Sequence, residues 1–118
     1  TFKIIKNLQI NVDNITIINP VGYLEMIWLI DSCDFVMTDS GGLQTESYFF
    51  DKKCITFRED TEWNELVKMG VNVLVGASRE KILHAYRDNL VKNSISSKSN
   101  LYGNGNASAK VVNELLSF

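Results

Sequence analysis

Four short apolar runs alternate with segments of helical period, and that alternation restricts the fold of this chain more than any other feature. The runs are Ile15-Thr16-Ile17-Ile18, Phe35-Val36-Met37, Cys54-Ile55-Thr56-Phe57 and VNVLV at 71–75. Each reads as a β-strand. The first is closed by Asn19-Pro20, because proline has no amide to give to a ladder. Residues 23–30, YLEMIWLI, are apolar almost throughout and predict a mostly buried helix. Leu43, Ser47 and Phe50 recur at i, i+4 and i+7, with Gln44, Glu46 and Asp51 as an expected wet side. Thr61 is placed as the N-cap of a helix over 62–69 that stops at Gly70. An exposed helix over 79–92 carries Ile82, Leu83, Tyr86 and Leu90 on one side, and 94–99 (SISSKS) has loop composition. A last helix is expected over 107–116. Strands alternating with helices imply right-handed crossovers, so the expected class is α/β: a Rossmann-like parallel sheet with helices on both faces.

The chain's 118 residues suit one domain, or one half of a two-lobed protein. A net charge of −2 offers no basic field, so nucleic acid is not expected as a partner. No apolar run is long enough to predict a membrane span, and the amphipathic opening TFKIIKNLQI lacks the apolar core of a signal peptide. A cytoplasmic protein without a membrane partner is expected. Cys33 and Cys54 sit among apolar neighbours, outside any CxxC or Cys/His cluster, and are expected as buried reduced thiols. Thr1 falls inside a helical pattern with no initiator Met, which leads us to expect part of a longer protein.

The stretch VMTDSGGLQTES at 36–47 runs from a strand directly into a helix through Asp39-Ser40-Gly41-Gly42. In open parallel sheets ligands bind beyond the carboxyl ends of the strands, where this segment would lie. Backbone amides of Ser40, Gly41 and Gly42 at a helix N-terminus would be unpaired donors, and glycine would let an anion such as phosphate come close. A tight turn needing positive φ is the alternative use of the same glycines. The sequence has neither GxxxxGK[ST] nor GxGxxG, so neither a P-loop nucleotidase nor the usual dinucleotide fingerprint is expected. GxSxG is also missing, and the single histidine, His84, lies on a distant helix pattern, so Ser40 is not read as a nucleophile. Glu46, one to two turns into the helix, can reach a sugar hydroxyl pair near a bound phosphate. Arg58 points to the same rim and can neutralise it. The acidic group Glu59, Asp60, Glu62 and Glu65 is read as opposing a helix dipole rather than binding metal, and Trp28 and Trp63 as packing residues.

Taken in order, Pro20, Tyr23-Leu24, TDSGGLQTES (38–47), FREDTEW (57–63), NVLVG (72–76) and NLYGNGNAS (100–108) resemble the UDP-N-acetylglucosamine 2-epimerase family over almost the whole chain. The match is to the carboxyl-terminal lobe of that family's two-lobed, glycosyltransferase-B-like fold. The resemblance implies one UDP-binding lobe over 1–118, with a tail over 94–118 that packs back on an absent amino-terminal lobe. It implies that the amides of Ser40, Gly41 and Gly42 hold the pyrophosphate and that Glu46 holds the ribose hydroxyls. Arg58 matches the arginine of the loop after the third strand, and Thr61-Glu62 matches the family's Thr-Glu. Uracil would lie against the region from Pro20 to Met26, where this chain has Met26 at a position often aromatic. Other departures are Trp63 in place of Arg-Pro and Leu101 where proline is frequent. The family's reaction begins with loss of UDP to give a 2-acetamidoglucal, after which UDP adds back; it uses no separate cofactor and no metal. The acid/base residues belong to the other lobe or the lobe junction, so no catalytic residue is expected in this chain and, alone, no turnover. UDP, UDP-N-acetylglucosamine, the absent lobe and a second copy in a homodimer are the implied partners, and polysaccharide biosynthesis is the implied setting. A hydrolysing 2-epimerase that releases N-acetylmannosamine, a UDP-sugar glycosyltransferase lobe and a free-standing binding domain remain as alternatives.

Overall fold

A computed structural model describes residues 2–91 and 100–118. Its elements run in the order α1 (Phe2–Asn7), α2 (Tyr23–Ser32), β1 (Phe35–Thr38), α3 (Gly41–Phe49), β2 (Lys53–Thr56), α4 (Asn64–Lys68), β3 (Asn72–Leu74), α5 (Arg79–Val91) and α6 (Ala107–Leu116). The three strands form one parallel sheet in the order β1-β2-β3. The class is therefore the expected one, a Rossmann-like parallel sheet layered with helices.

The register shows why both faces are covered. Val36, Cys54 and Asn72 are aligned across the sheet, as are Met37, Ile55 and Val73 one residue on. Successive strand residues point to opposite faces. Cys54, Ile55 and Thr56 are all fully buried, so the middle strand is shielded on both sides. On one face Ile30, Val36 and Cys54 cluster with Met26, Ile27, Leu43 and Phe50 from the α2–α3 side. On the other, Ile55 and Val75 pack with Ala85 and Ile82 of α5. A third cluster, Tyr48, Leu66 and Val71, joins α3 to α4.

Four expectations are corrected. Residues 15–18 form no strand: Ile15, Ile17 and Ile18 are exposed, and a β-branched run becomes a strand only where a neighbouring ladder takes up its amides and carbonyls. Helix α2 is not mostly buried. Only Ile30 is buried, while Tyr23, Leu24 and Trp28 stand 67%, 77% and 67% exposed, because α2 is covered along one stripe and its other apolar side meets no element among the described residues; Trp28 packs against none of the core clusters of the described residues. Thr61 does not cap α4, which begins three residues later behind Trp63. The supposed wet side of α3 is also wrong at Gln44, which is fully buried. Leu90's side chain, Lys92 and the loop at 94–99 lie outside the described residues.

Gln44 is buried because both polar atoms of its amide are hydrogen-bonded. Its Oε1 accepts from Thr61 Oγ1 at 2.7 Å and from Asn72 Nδ2 at 3.0 Å, and its Nε2 donates to Ser40 O at 3.3 Å. One side chain so ties the start of α3, the loop after β2 and the edge strand β3. The turns at the opposite end of the sheet use positive φ, at Asp51 after α3 and at Gly70 after α4, where the Gly70 and Val71 amides close back on Val67 O and Leu66 O.

Gln44→Leu should destabilise the intact protein by about 3 kcal/mol, since the buried Thr61 hydroxyl and Asn72 amide lose their acceptor together. Urea unfolding monitored by circular dichroism measures this.

Candidate functional site

The loops after β1 and β2 meet at the carboxyl edge of the sheet. The first contains Asp39 and Ser40, the second runs from Phe57 to Trp63, and the Gln44–Thr61 hydrogen bond holds them together. Ser40 precedes α3 with extended φ −76° and ψ 130°, and its hydroxyl makes no capping bond. Its amide donates to Thr38 Oγ1 at 3.0 Å. Of the three expected anion donors, the Ser40 amide is thus already engaged, and Gly41 and Gly42 occupy the first turn of α3, where amides have no intrahelical acceptor.

The two glycines do not serve the chain's path. Positive φ occurs in Gly70, Gly76, Gly103 and Gly105, but in neither Gly41 nor Gly42, which excludes the tight-turn alternative. A Cβ on Gly42 would meet no atom within 4 Å. A Cβ on Gly41 would overlap the Glu62 carboxylate and stand 3.8 Å from Trp63 Nε1. The absent side chains leave open space over Gly42 and make room for the neighbouring loop at Gly41.

The other expected site residues are placed differently from one another. Glu46 lies half-buried on α3, one turn beyond the glycines. Arg58 is not a free cation: its Nη1 donates to Glu62 Oε2 at 3.0 Å. Trp63 is half-buried beside Tyr48, Leu66 and Val71, with its Nε1 buried and without an acceptor. Met26 packs against the Ile30–Val36–Cys54 cluster, and Pro20 is exposed ahead of α2. His84 sits on α5, 79% exposed and 3.4 Å from Asp88. Burial raises both thiols above their usual range, Cys33 and the more deeply placed Cys54, which keeps them protonated. Among the described residues no helix is long and apolar enough to cross a membrane.

Three features of this region were not read from the sequence: the buried carboxamide of Gln44, the seat of Glu62 on Gly41, and the role of Tyr102. Tyr102 stacks edge-on against Tyr48 and Trp63, and its hydroxyl donates to Glu65 Oε1 at 2.8 Å, pinning the segment before α6 to the body of the lobe. Only the aromatic ring amid Asn and Gly in NLYGNG hinted at an anchor.

A parallel sheet layered with helices, one of which opens directly from a strand through two glycines, is the Rossmann-like arrangement of a glycosyltransferase-B-like lobe. Comparison with known proteins makes this specific. The family model described as UDP-N-acetylglucosamine 2-epimerase matches residues 1–116, and the chain belongs to that family. A UDP-2,3-diacetamido-2,3-dideoxy-D-glucuronate 2-epimerase of Pseudomonas aeruginosa is 47% identical over 98% of this chain and 32% of its own length. The crystal structure of Methanocaldococcus jannaschii UDP-GlcNAc 2-epimerase in complex with UDP-GlcNAc and UDP superposes with a TM-score of 0.78 at 36% identity, over 99% of this chain and 32% of that one. The S. aureus MnaA–UDP structure gives 0.79 at 27% identity, over 97% and 32%. The chain thus spans about a third of the length of these relatives.

The Tyr102–Glu65 contact should leave a mark at both ends of the pH scale. Glu65's own amide, then the Tyr102 hydroxyl, holds its carboxyl below the usual 4.5, so this contribution to stability is complete above that pH and is lost as pH falls through the lowered value. Burial, then the bond to Glu65, raises the Tyr102 phenol above its usual 10.0, so that contribution is present below pH 10 and lost as pH rises further. Tyr102→Phe should therefore flatten the stability profile below pH 4.5 and above pH 10, as measured by denaturation across pH.

Proposed function

We propose that these residues are the UDP-binding lobe of a UDP-N-acetylglucosamine 2-epimerase. The observation that carries this reading is that Gly41 and Gly42 have ordinary negative φ, with open space over Gly42. Glycine is not required there by backbone conformation; at Gly41 it admits the Glu62 loop, and at Gly42 it would allow close approach of a ligand to the amides of a helix N-terminus. The Gly41 and Gly42 amides hold the pyrophosphate, with Ser40 shaping the loop through its bond to Thr38. Glu46 takes the ribose hydroxyls, Arg58 meets phosphate charge, and uracil lies along the stretch from Pro20 to Met26.

The chemistry assigned to the intact enzyme is loss of UDP from the anomeric carbon to give a 2-acetamidoglucal, followed by addition of UDP to give the C2 epimer. Negative charge grows on the diphosphate as the glycosidic bond breaks. Donors already aimed at that charge stabilise the transition state, typically by a few kcal/mol each. The acid/base groups that move the C2 proton are assigned to residues outside this chain. The apolar side of α6, with Val111, Val112, Leu115 and Leu116 all exposed, is the surface assigned to the rest of the protein, as is the uncovered side of α2.

A second reading keeps lobe and chemistry and changes the sugar. The Pseudomonas aeruginosa relative named for a 2,3-diacetamido glucuronate is 47% identical, against 38% for the UDP-N-acetylglucosamine 2-epimerase of M. jannaschii. Assay of the intact protein with both UDP-sugars, following the C2 epimer by NMR, decides between them. Release of free N-acetylmannosamine in the same assay would assign the hydrolysing branch.

Gly42→Ala should separate fold from function. The added methyl meets nothing and replaces glycine within a helix, so stability should hold or rise by up to about 1 kcal/mol. UDP affinity, read by isothermal titration, should nonetheless fall at least about tenfold, or about 1.4 kcal/mol. Glu46→Gln should weaken UDP more than 2′,3′-dideoxy-UDP; equal losses would remove Glu46 from the ribose.

A further inference from the structure

The carboxylate of Glu62 sits beside the start of α3, against Gly41 and next to the open space over Gly42. A Cβ built on Gly41 would overlap Glu62 Oε1 and lie 3.3 Å from its Cδ, so this carboxyl group rests against the first residue of the helix. Its other oxygen accepts from Arg58 Nη1 at 3.0 Å. A single side chain therefore lies over the glycine and also occupies the arginine. Beside both, Trp63 Nε1 is buried without an acceptor, 3.8 Å from the same Cβ position.

The arrangement sets a carboxylate against two elements that would also draw a phosphate, a helix N-terminus and an arginine. Negative charge lies at a helix N-terminus, where the dipole favours it. It is paired with an arginine, whose planar fork suits phosphate oxygens as well as a carboxylate. An indole N–H, which can only donate, stands idle nearby, and a buried donor left unpaired is unfavourable. Glu62 and a diphosphate cannot both keep this place, because two anions would then share one cation at contact distance. Nor is Glu62 held firmly: its side chain is 50% exposed and that of Arg58 35%, and exposed ion pairs are weak.

We propose that Glu62 is a stand-in anion, which neutralises Arg58 and the α3 N-terminus in the unliganded protein and is displaced by the incoming diphosphate. The displaced carboxylate releases Arg58 to the ligand and uncovers the Trp63 N–H as a further donor. This rests on the reading of the α3 loop as a diphosphate site and adds what occupies that site before the ligand arrives. Glu62 thereby sets affinity: each binding event must first break its pair with Arg58, and each release of the leaving UDP is assisted by its return.

The test is titration of UDP into the intact protein, comparing wild type, Glu62→Gln and Glu59→Gln at one ionic strength. Glu59→Gln removes the same formal charge from the same loop, but from a carboxylate 78% exposed whose ion-pair partner is Lys81 at 4.0 Å. Glu62→Gln should bind UDP about two- to fivefold more tightly, the scale of one exposed ion pair, while Glu59→Gln should match wild type. In wild type the Trp63 indole 1H–15N resonance should shift on saturation. If wild type binds UDP but Glu62→Gln binds equally or more weakly, or Glu59→Gln tightens as much, or the indole resonance stays in place, displacement is overturned and the diphosphate site stands. Failure of all three proteins to bind UDP overturns both.

Discussion

The Gln44 carboxamide is the contact on which the rest of this lobe depends. Three segments meet at it, through Ser40, Thr61 and Asn72, and without it the buried Thr61 and Asn72 side chains would lose their acceptor at the edge of the sheet. Because the amide offers an acceptor with two lone pairs as well as donors, it can serve both loops and the edge strand at once. The consequence reaches the candidate site. The loop carrying Arg58, Glu62 and Trp63 is held against the glycine-opened end of α3 by a hydrogen bond made inside the protein.

The two glycines show how backbone geometry separates two uses of one residue type. Gly70 and Gly76 adopt positive φ and are needed for the path of the chain. Gly41 and Gly42 do not, and what they contribute is the absence of a side chain at a helix N-terminus. The same reasoning gives Glu62 its interest, since the carboxylate resting on Gly41 occupies space that a Cβ would have closed.

Much of the architecture was legible from period and composition. The runs around Val36, Ile55 and Val73 became strands because each lies beside a neighbour able to pair with it, and the helix starting at Ala107 lies where its pattern predicted. Residues 15–18 have the same β-branched character and form no strand, since a ladder partner is a tertiary fact. The apolar run of α2 was taken as buried because hydrophobicity records what a residue favours, not whether another element arrives to cover it. Gln44 was misplaced for the converse reason: a polar side chain is buried readily once its hydrogen bonds are supplied, and its suppliers, Thr61 and Asn72, are 17 and 28 residues away.

For the candidate site, local sequence determined the order of elements: a strand, a turn, two glycines and a helix in immediate succession, with a carboxylate one turn further on. Those features act over a few residues, through helix geometry and the unpaired amides of a first turn. Only the tertiary structure decided that the Glu62 carboxylate rests against Gly41 and that the Trp63 N–H is buried beside it without an acceptor. Each of these depends on which side chain comes within 3 to 4 Å of another. That distance is set by how the loop after β2 folds over α3, and no period or spacing along the chain encodes it.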